Sequence, residues 1–164
     1  MAFRSFSSFS FTIILNSLLL YNGILLVYME GYVVISKNNV LLYSGYNTIM
    51  QSGIQLMVKI MNGNTTGSFK WMGIGTGSTA PSSTQTALVD QISIEETTNT
   101  VGTTAFSDDT AIFQGTFTFT TTYTLREAGL FSSSASGVML ARRLFPAVNV
   151  INGDNLSLIW SIRL

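Results

Sequence analysis

The sequence predicts a mainly β protein, an antiparallel β-sandwich or flattened barrel of about eight strands with one packed α-helix. Three observations point there. Segments late in the chain alternate apolar and polar residues with a period of two, as half-buried strands do. Ser and Thr, twenty of each, make up 40 of the 164 residues, and 11 Phe and 6 Tyr reinforce the β-favouring composition. One stretch alone keeps a convincing helical rhythm.

The first 28 residues differ from the rest. From Ser5 to Met29 no residue is charged, a run of 25. Read as a helix, that run would be about 37 Å long, enough to cross a hydrocarbon core of about 30 Å. Its flanks fit a span or a secretory signal poorly, because Arg4 is the only positive charge before it and no small-x-small cleavage site precedes Glu30. Phe3, Phe6, Phe9 and Phe11 also lack helical periodicity. Residues 1–28 are thus an apolar leader with three readings. It is an over-long start, with Met29 the true initiator; an arm buried against neighbouring subunits; or a membrane anchor.

Residues 29–164 read as a single β-sandwich domain. Tyr32-Val33-Val34-Ile35 and Val40-Leu41-Leu42-Tyr43 flank Ser36-Lys37-Asn38-Asn39, a hairpin whose Asn residues tolerate positive φ. The helix runs from about Ile49 to Met61, with Ile49, Met50, Ile54, Met57, Ile60 and Met61 forming the face that packs on the sheet. Thr48 with Gln51 can form a capping box, and Asn62-Gly63 is the stop signal. Phe69 to Ile74 is a strand entering a glycine-rich loop, and Ala87-Leu88-Val89 is a short apolar turn after it. Ile92 to Thr97 is a strand, followed by a loose Thr/Asn/Gly connection. Ala111, Phe113, Gly115, Phe117 and Phe119 then form one face of an alternating strand. Leu125 to Phe131 and Val138 to Arg143 make a second hairpin, and Leu156, Leu158, Trp160 and Ile162 define the closing strand.

Composition narrows the chemistry. Without Cys there is no disulfide framework, thiol nucleophile or thiolate metal site; without His the usual general base and commonest metal ligand are missing. Eight basic residues balance eight acidic ones, so nothing electrostatic favours nucleic acid. Charged residues are only 10% of the chain, which suits a subunit packed into a larger assembly. Gly73-Ile74-Gly75-Thr76-Gly77 invites comparison with nucleotide loops, but Ser-Thr-Ala-Pro follows where a helix or a Gly-Lys-Ser/Thr ending would be needed. A tight loop requiring positive φ is the better reading. Glu95-Glu96 and Asp108-Asp109 are adjacent pairs whose side chains diverge on a strand, so neither forms a paired-carboxylate site. Asp108-Asp109 reads as a turn before a strand, and Arg142-Arg143 as strand-end surface charges that can touch an acidic neighbour. The chain reads as non-enzymatic, with no cofactor and no metal.

Three stretches carry a family resemblance. Met72 to Gly77, followed by Ala80-Pro81-Ser82-Ser83-Thr84-Gln85-Thr86-Ala87-Leu88-Val89-Asp90-Gln91-Ile92, resembles the A-I/V-G-x-G strand-loop and the P-S-x-x-Q-T-A-L-x-x-E-V/I segment of tail-collar and tail-fibre N-terminal domains of tailed bacteriophages. Leu125-Arg126-Glu127-Ala128-Gly129-Leu130-Phe131 is similar to their I-R-E-V/A-G-L-F strand. Val138-Met139-Leu140-Ala141-Arg142 is similar to their return strand, and Phe145-Pro146 follows. The resemblance spans roughly residues 45–164. It implies that Gly73, Gly75, Gly77, Pro81, Gln85, Thr86, Leu88, Arg126, Glu127, Gly129, Leu130 and Phe131 serve the family motif and assembly. Thr86, Ala87 and Leu88 would seat a one-turn element behind the glycine loop, and Arg126 or Glu127 would tie that loop down from the inner sheet face.

The resemblance implies a structural component of a tailed virus particle, a tail, collar or fibre-attachment adaptor or decoration subunit located in the virion. Its partners would be other virion structural proteins and further copies of itself, with no nucleic acid, and a membrane only if the leader is an anchor. Typical fibre proteins continue into a shaft, whereas this sequence stops at Leu164, which favours an adaptor, collar, plug or decoration role. A carbohydrate-binding module at the host surface is the alternative; it needs clustered exposed aromatics, and Trp71 and Trp160 read as core instead. A small membrane-anchored protein is the third.

Overall fold

The computed structural model describes residues 29–164 throughout and, before them, the backbone of three short strands, β1 (Ile13–Leu15), β2 (Leu18–Tyr21) and β3 (Ile24–Val27). These pair as a separate antiparallel sheet in the order β1-β2-β3. The other expectations for residues 1–28, including the three roles of the leader, lie outside the described residues. No helix among the described residues is long and apolar enough to cross a membrane.

Residues 30–163 supply ten strands and one helix. In chain order they are β4 (Glu30–Lys37), β5 (Val40–Tyr46), β6 (Thr48–Ile49), α1 (Gln51–Met61), β7 (Trp71–Gly75), β8 (Gln91–Glu96), β9 (Thr98–Gly102), β10 (Thr110–Thr118), β11 (Tyr123–Phe131), β12 (Met139–Val150) and β13 (Asn155–Arg163). Two five-stranded antiparallel sheets result, β5-β4-β13-β10-β9 and β6-β12-β11-β7-β8. Both sheets have open edges, so the architecture is a sandwich and not the flattened barrel. The alternating faces of β10 and β13 meet in register, with Phe113 opposite Trp160 and Phe117 opposite Leu156. Their inward residues join Ile74, Leu130 and Val150 in the main core. Trp160 is fully buried and donates its indole N–H to Asn47 Oδ1 at 3.0 Å, whereas Trp71 is half-buried.

The Asn-Asn hairpin forms as expected. Asn38 and Asn39 both have left-handed φ, 50° and 65°, as a two-residue turn matching strand twist requires. The connection after β8 is itself a strand. β9 pairs with β10 from Gln114 opposite Thr98 to Thr110 opposite Gly102. Its Thr-Asn-Thr-Val-Gly sequence lacks alternation because it is an exposed edge, held by backbone hydrogen bonds rather than by burial.

The expected capping box does not form. Thr48 lies in β6, opposite Arg142, and Met50 takes the N-cap position with no side-chain hydrogen bond. The helix start is held instead by backbone: Met50 N–H donates to Leu140 O at 2.8 Å and Gln51 N–H to Ser83 O at 2.9 Å. The stop at Asn62-Gly63 does form, with Gly63 at φ 76°. The helix packs part of the face its apolar positions suggest: Met50 is buried and Ile49 and Met57 lie against the main core. Gly53 is the one buried residue within Gln51–Met61 itself, and a Cβ there would stand 2.5 Å from Leu140 Cα. That close approach sets Leu56 and Met57 against the core and leaves Ile54 and Met61 exposed.

Candidate functional site: a buried clamp under the glycine loop

The strand-loop after β7 leaves the sheet at Gly75 and returns as β8 at Gln91, and its two ends are pinned by one carboxylate. Glu127 on β11 is fully buried. Its Oε1 accepts the backbone N–H of Gly77 at 3.1 Å and of Asp90 at 2.8 Å. Its Oε2 accepts the N–H of Val89 at 3.1 Å and both Nε and Nη2 of Arg142 at 2.9 and 2.7 Å. Arg142, equally buried, carries the clamp to the middle of the loop: Nη2 donates to Thr79 O and Nη1 to Gln85 Oε1, each at 2.9 Å. The Gln85 oxygen also accepts Ser82 N–H at 2.9 Å. The charges cancel and each is fully engaged, the condition under which a buried pair is tolerated.

The glycines make room for this arrangement. Gly73, Gly75 and Gly77 do not adopt the positive φ expected of a tight loop; the glycines that do are Gly63, Gly67 and Gly153 among the described residues. What they supply is space. A Cβ on Gly75 would lie 2.3 Å from Asp90 O, and one on Gly77 2.3 Å from Glu127 Oε1. Gly73 and Gly129 face each other across β7 and β11. Together they form a slot for Leu88, whose methyls would lie 3.3 and 3.1 Å from their added Cβ atoms. Leu88 joins Met50, Phe131 and Met139 in a second small core on the outer face of this sheet.

Ten of the twelve candidate residues therefore belong to the clamp or flank it, in distinct roles. Gly77, Gln85 and Glu127 make its hydrogen bonds; Gly73, Gly75, Gly129, Leu88 and Phe131 shape its packing; Pro81 is half-buried in the clamped loop; Leu130 packs beneath in the main core. Arg126 and Thr86 are exposed and take no part, and of the short element 86–88 only Leu88 is buried. The tie comes from the outer face of the sheet, not the inner one. Ala128 and Leu130 point to the main core, whereas Gly129 and Phe131 face Leu88. The strand pairing is irregular between Leu125 and Glu127, where this alternation changes phase.

Arg142 departs most from its expected place, a strand-end surface. Its acidic neighbour is Glu127, two positions along the β11–β12 hairpin from the Gly129–Arg142 pair. Such diagonal neighbours lie within reach of a long side chain. Arg143 instead lies 5.3 Å over the Tyr43 ring and donates to the Tyr43 hydroxyl.

A carboxylate already accepting five N–H groups is committed to holding chain, and that is the chemistry the arrangement provides. On the outer face of the sheet a cavity of about 420 Å³ is lined by Ser52, Thr86, Ser133 and Ser136 together with the apolar Ile94, Phe131 and Met139. Asp108-Asp109 forms the turn before β10, and Glu96 pairs with Lys70 at 2.7 Å on the surface. No family model, curated protein or solved structure matches the chain.

Proposed function

We propose that the chain is a non-enzymatic structural component of a tailed virus particle, a tail, collar or fibre-attachment adaptor or a decoration subunit. It works by docking to other virion proteins and to copies of itself. One observation carries the reading: two of the stretches that resemble the collar and fibre domains, remote in sequence, meet in a single clamp, where Glu127 accepts the Gly77 N–H and reaches Gln85 through Arg142. The surface supports the same reading. The edge strand β5 exposes Val40, Leu41, Leu42 and Tyr46 without a charge, and open sheet edges accept further strands.

The test is quantitative mass spectrometry of purified, salt-washed particles. A fixed copy number relative to the major capsid protein is expected. Absence from the particle, or a trace amount removed by washing, would overturn the proposal.

A further inference from the structure

One end of the sandwich carries both halves of a docking contact. A cavity of about 230 Å³ opens there, lined almost wholly by apolar side chains, among them Met57, Ile60 and Met61 of α1 and Phe69 and Phe113. An apolar cavity of about 150 Å³ already takes a benzene-sized ring. The loop between β9 and β10 lies at the same end. Ala111, just past that loop, lines the cavity, as does Leu164, whose N–H donates to Asp109 O at 3.3 Å.

That loop is built to present a ring. The Asp109 carboxylate accepts the backbone N–H groups of Thr104, Ala105 and Phe106 at 2.9, 2.8 and 3.0 Å, together with the Thr104 hydroxyl. Phe106 is nonetheless 77% exposed, an aromatic side chain carried on a turn whose backbone the Asp109 carboxylate holds. Presenting a ring from a preorganised backbone lowers the ordering cost of docking, and aromatic side chains make strong anchors. Around the cavity mouth Met61 and Leu164 are 79% and 59% exposed. Asp108, two residues after Phe106, and Lys59, between the cavity-lining Met57 and Ile60, have no side-chain partner among the described residues.

We propose that this end is a self-association surface on which two copies meet about a twofold axis. Each inserts Phe106 into the other's cavity, with Asp108 of each copy facing Lys59 of the other. The occupant is a second copy because one chain supplies the ring, the cavity and both unpaired charges. With ring and cavity at the same end, a twofold gives each copy both roles and closes the assembly. The inference rests on the self-association part of the function proposed above and names its surface.

Sedimentation equilibrium of the isolated full chain tests it, read separately from abundance in particles. The wild-type chain should show twice its 17.8 kDa mass. Phe106→Ser, a change at a side chain that packs in neither core of its own chain, should weaken the dimer by about thirtyfold or more. Asp108→Lys and Lys59→Asp should each weaken it, and the two together should restore it. A monomer at about 100 μM, roughly a hundred times the concentration a micromolar dimer needs, would overturn the proposal. So would a dimer indifferent to Phe106→Ser, or a charge swap without rescue. A monomeric chain that is stoichiometric in particles would overturn this surface while leaving the virion reading standing.

Discussion

Replacing Glu127 by Gln keeps the shape of the clamp and removes its charge. The carboxylate oxygens receive five N–H groups and no acceptor, two on Oε1 and three on Oε2. An amide has one oxygen. In one orientation its NH₂ faces the Gly77 and Asp90 amides; in the other it faces Val89 N–H and the Arg142 guanidinium. Either way donors face donors, and Arg142 is left charged with no solvent exposure. Breaking a buried pair in this manner costs about 3–5 kcal/mol, a large share of the roughly 5–15 kcal/mol that holds a native domain together. For a domain of this size that lowers the melting temperature by about 10–20 °C. Urea unfolding followed by Trp71 and Trp160 fluorescence measures it. Arg142→Met should be of similar severity, and Glu127→Leu with Arg142→Met should lose clearly less than the two single losses summed, because neither charge is then stranded. A Glu127→Gln loss below about 1 kcal/mol, the value of a surface pair, or strict additivity would refute the reasoning.

Three further outcomes follow from the same geometry. Gly77→Ala puts a methyl 2.3 Å from Glu127 Oε1 and 2.6 Å from Val89 Cβ, and should cost about 1–3 kcal/mol in chemical denaturation. Gly53→Ala should also destabilise by about 1–3 kcal/mol, although Ala is the better helix former by about 1 kcal/mol, because its methyl meets the β12 backbone; a melting temperature at or above wild type would contradict this. Asp154 is held below the usual carboxylate range first by the Asn38 side-chain amide, then by the Ile151 N–H, with Lys37 adding to it. Asp109 is held below it by the Phe106, Ala105 and Thr104 donors. For both, the unfolded chain binds protons that the folded chain does not, so their stabilisation is complete above about pH 5 and is lost as pH falls through the folded values. Thermal melts between pH 6 and 2 should show that decline, shallower in Asp154→Asn than in wild type.

Where a side chain's own burial decides the structure, the sequence is legible. Phe113, Phe117, Leu156, Leu158 and Trp160 announce β10 and β13 because each inward residue must be apolar and each outward one need not be. Asn38-Asn39 announces its turn because two consecutive residues need positive φ. β9 left no mark, since an exposed edge asks nothing of its side chains and takes its conformation from β10. The capping box is absent for a related reason: Met50 and Gln51 bond to backbone oxygens of Leu140 and Ser83, contacts that Thr48 and Gln51 as residue types do not encode. In the clamp, Glu127 was legible as one of two loop-tying residues through the motif it belongs to. Arg142 was not placed there, because its burial depends on the β11–β12 register and on a loop supplied some sixty positions earlier through Thr79 and Gln85. Glycine was legible as a requirement at Gly75 and Gly77, yet the cause is the crowding of Asp90 and Glu127 against the backbone and not left-handed torsion.

Hydrogen exchange of the Gly77, Val89 and Asp90 amides in the full wild-type chain tests the central claim most directly, that the glycine loop and β11 form one rigid unit. The account predicts protection within about tenfold of the β11 amides, so that the loop opens only with the strand that holds it. Exchange within about tenfold of an unstructured peptide would contradict it, leaving the Glu127–Arg142 pair beneath a loop that it does not hold.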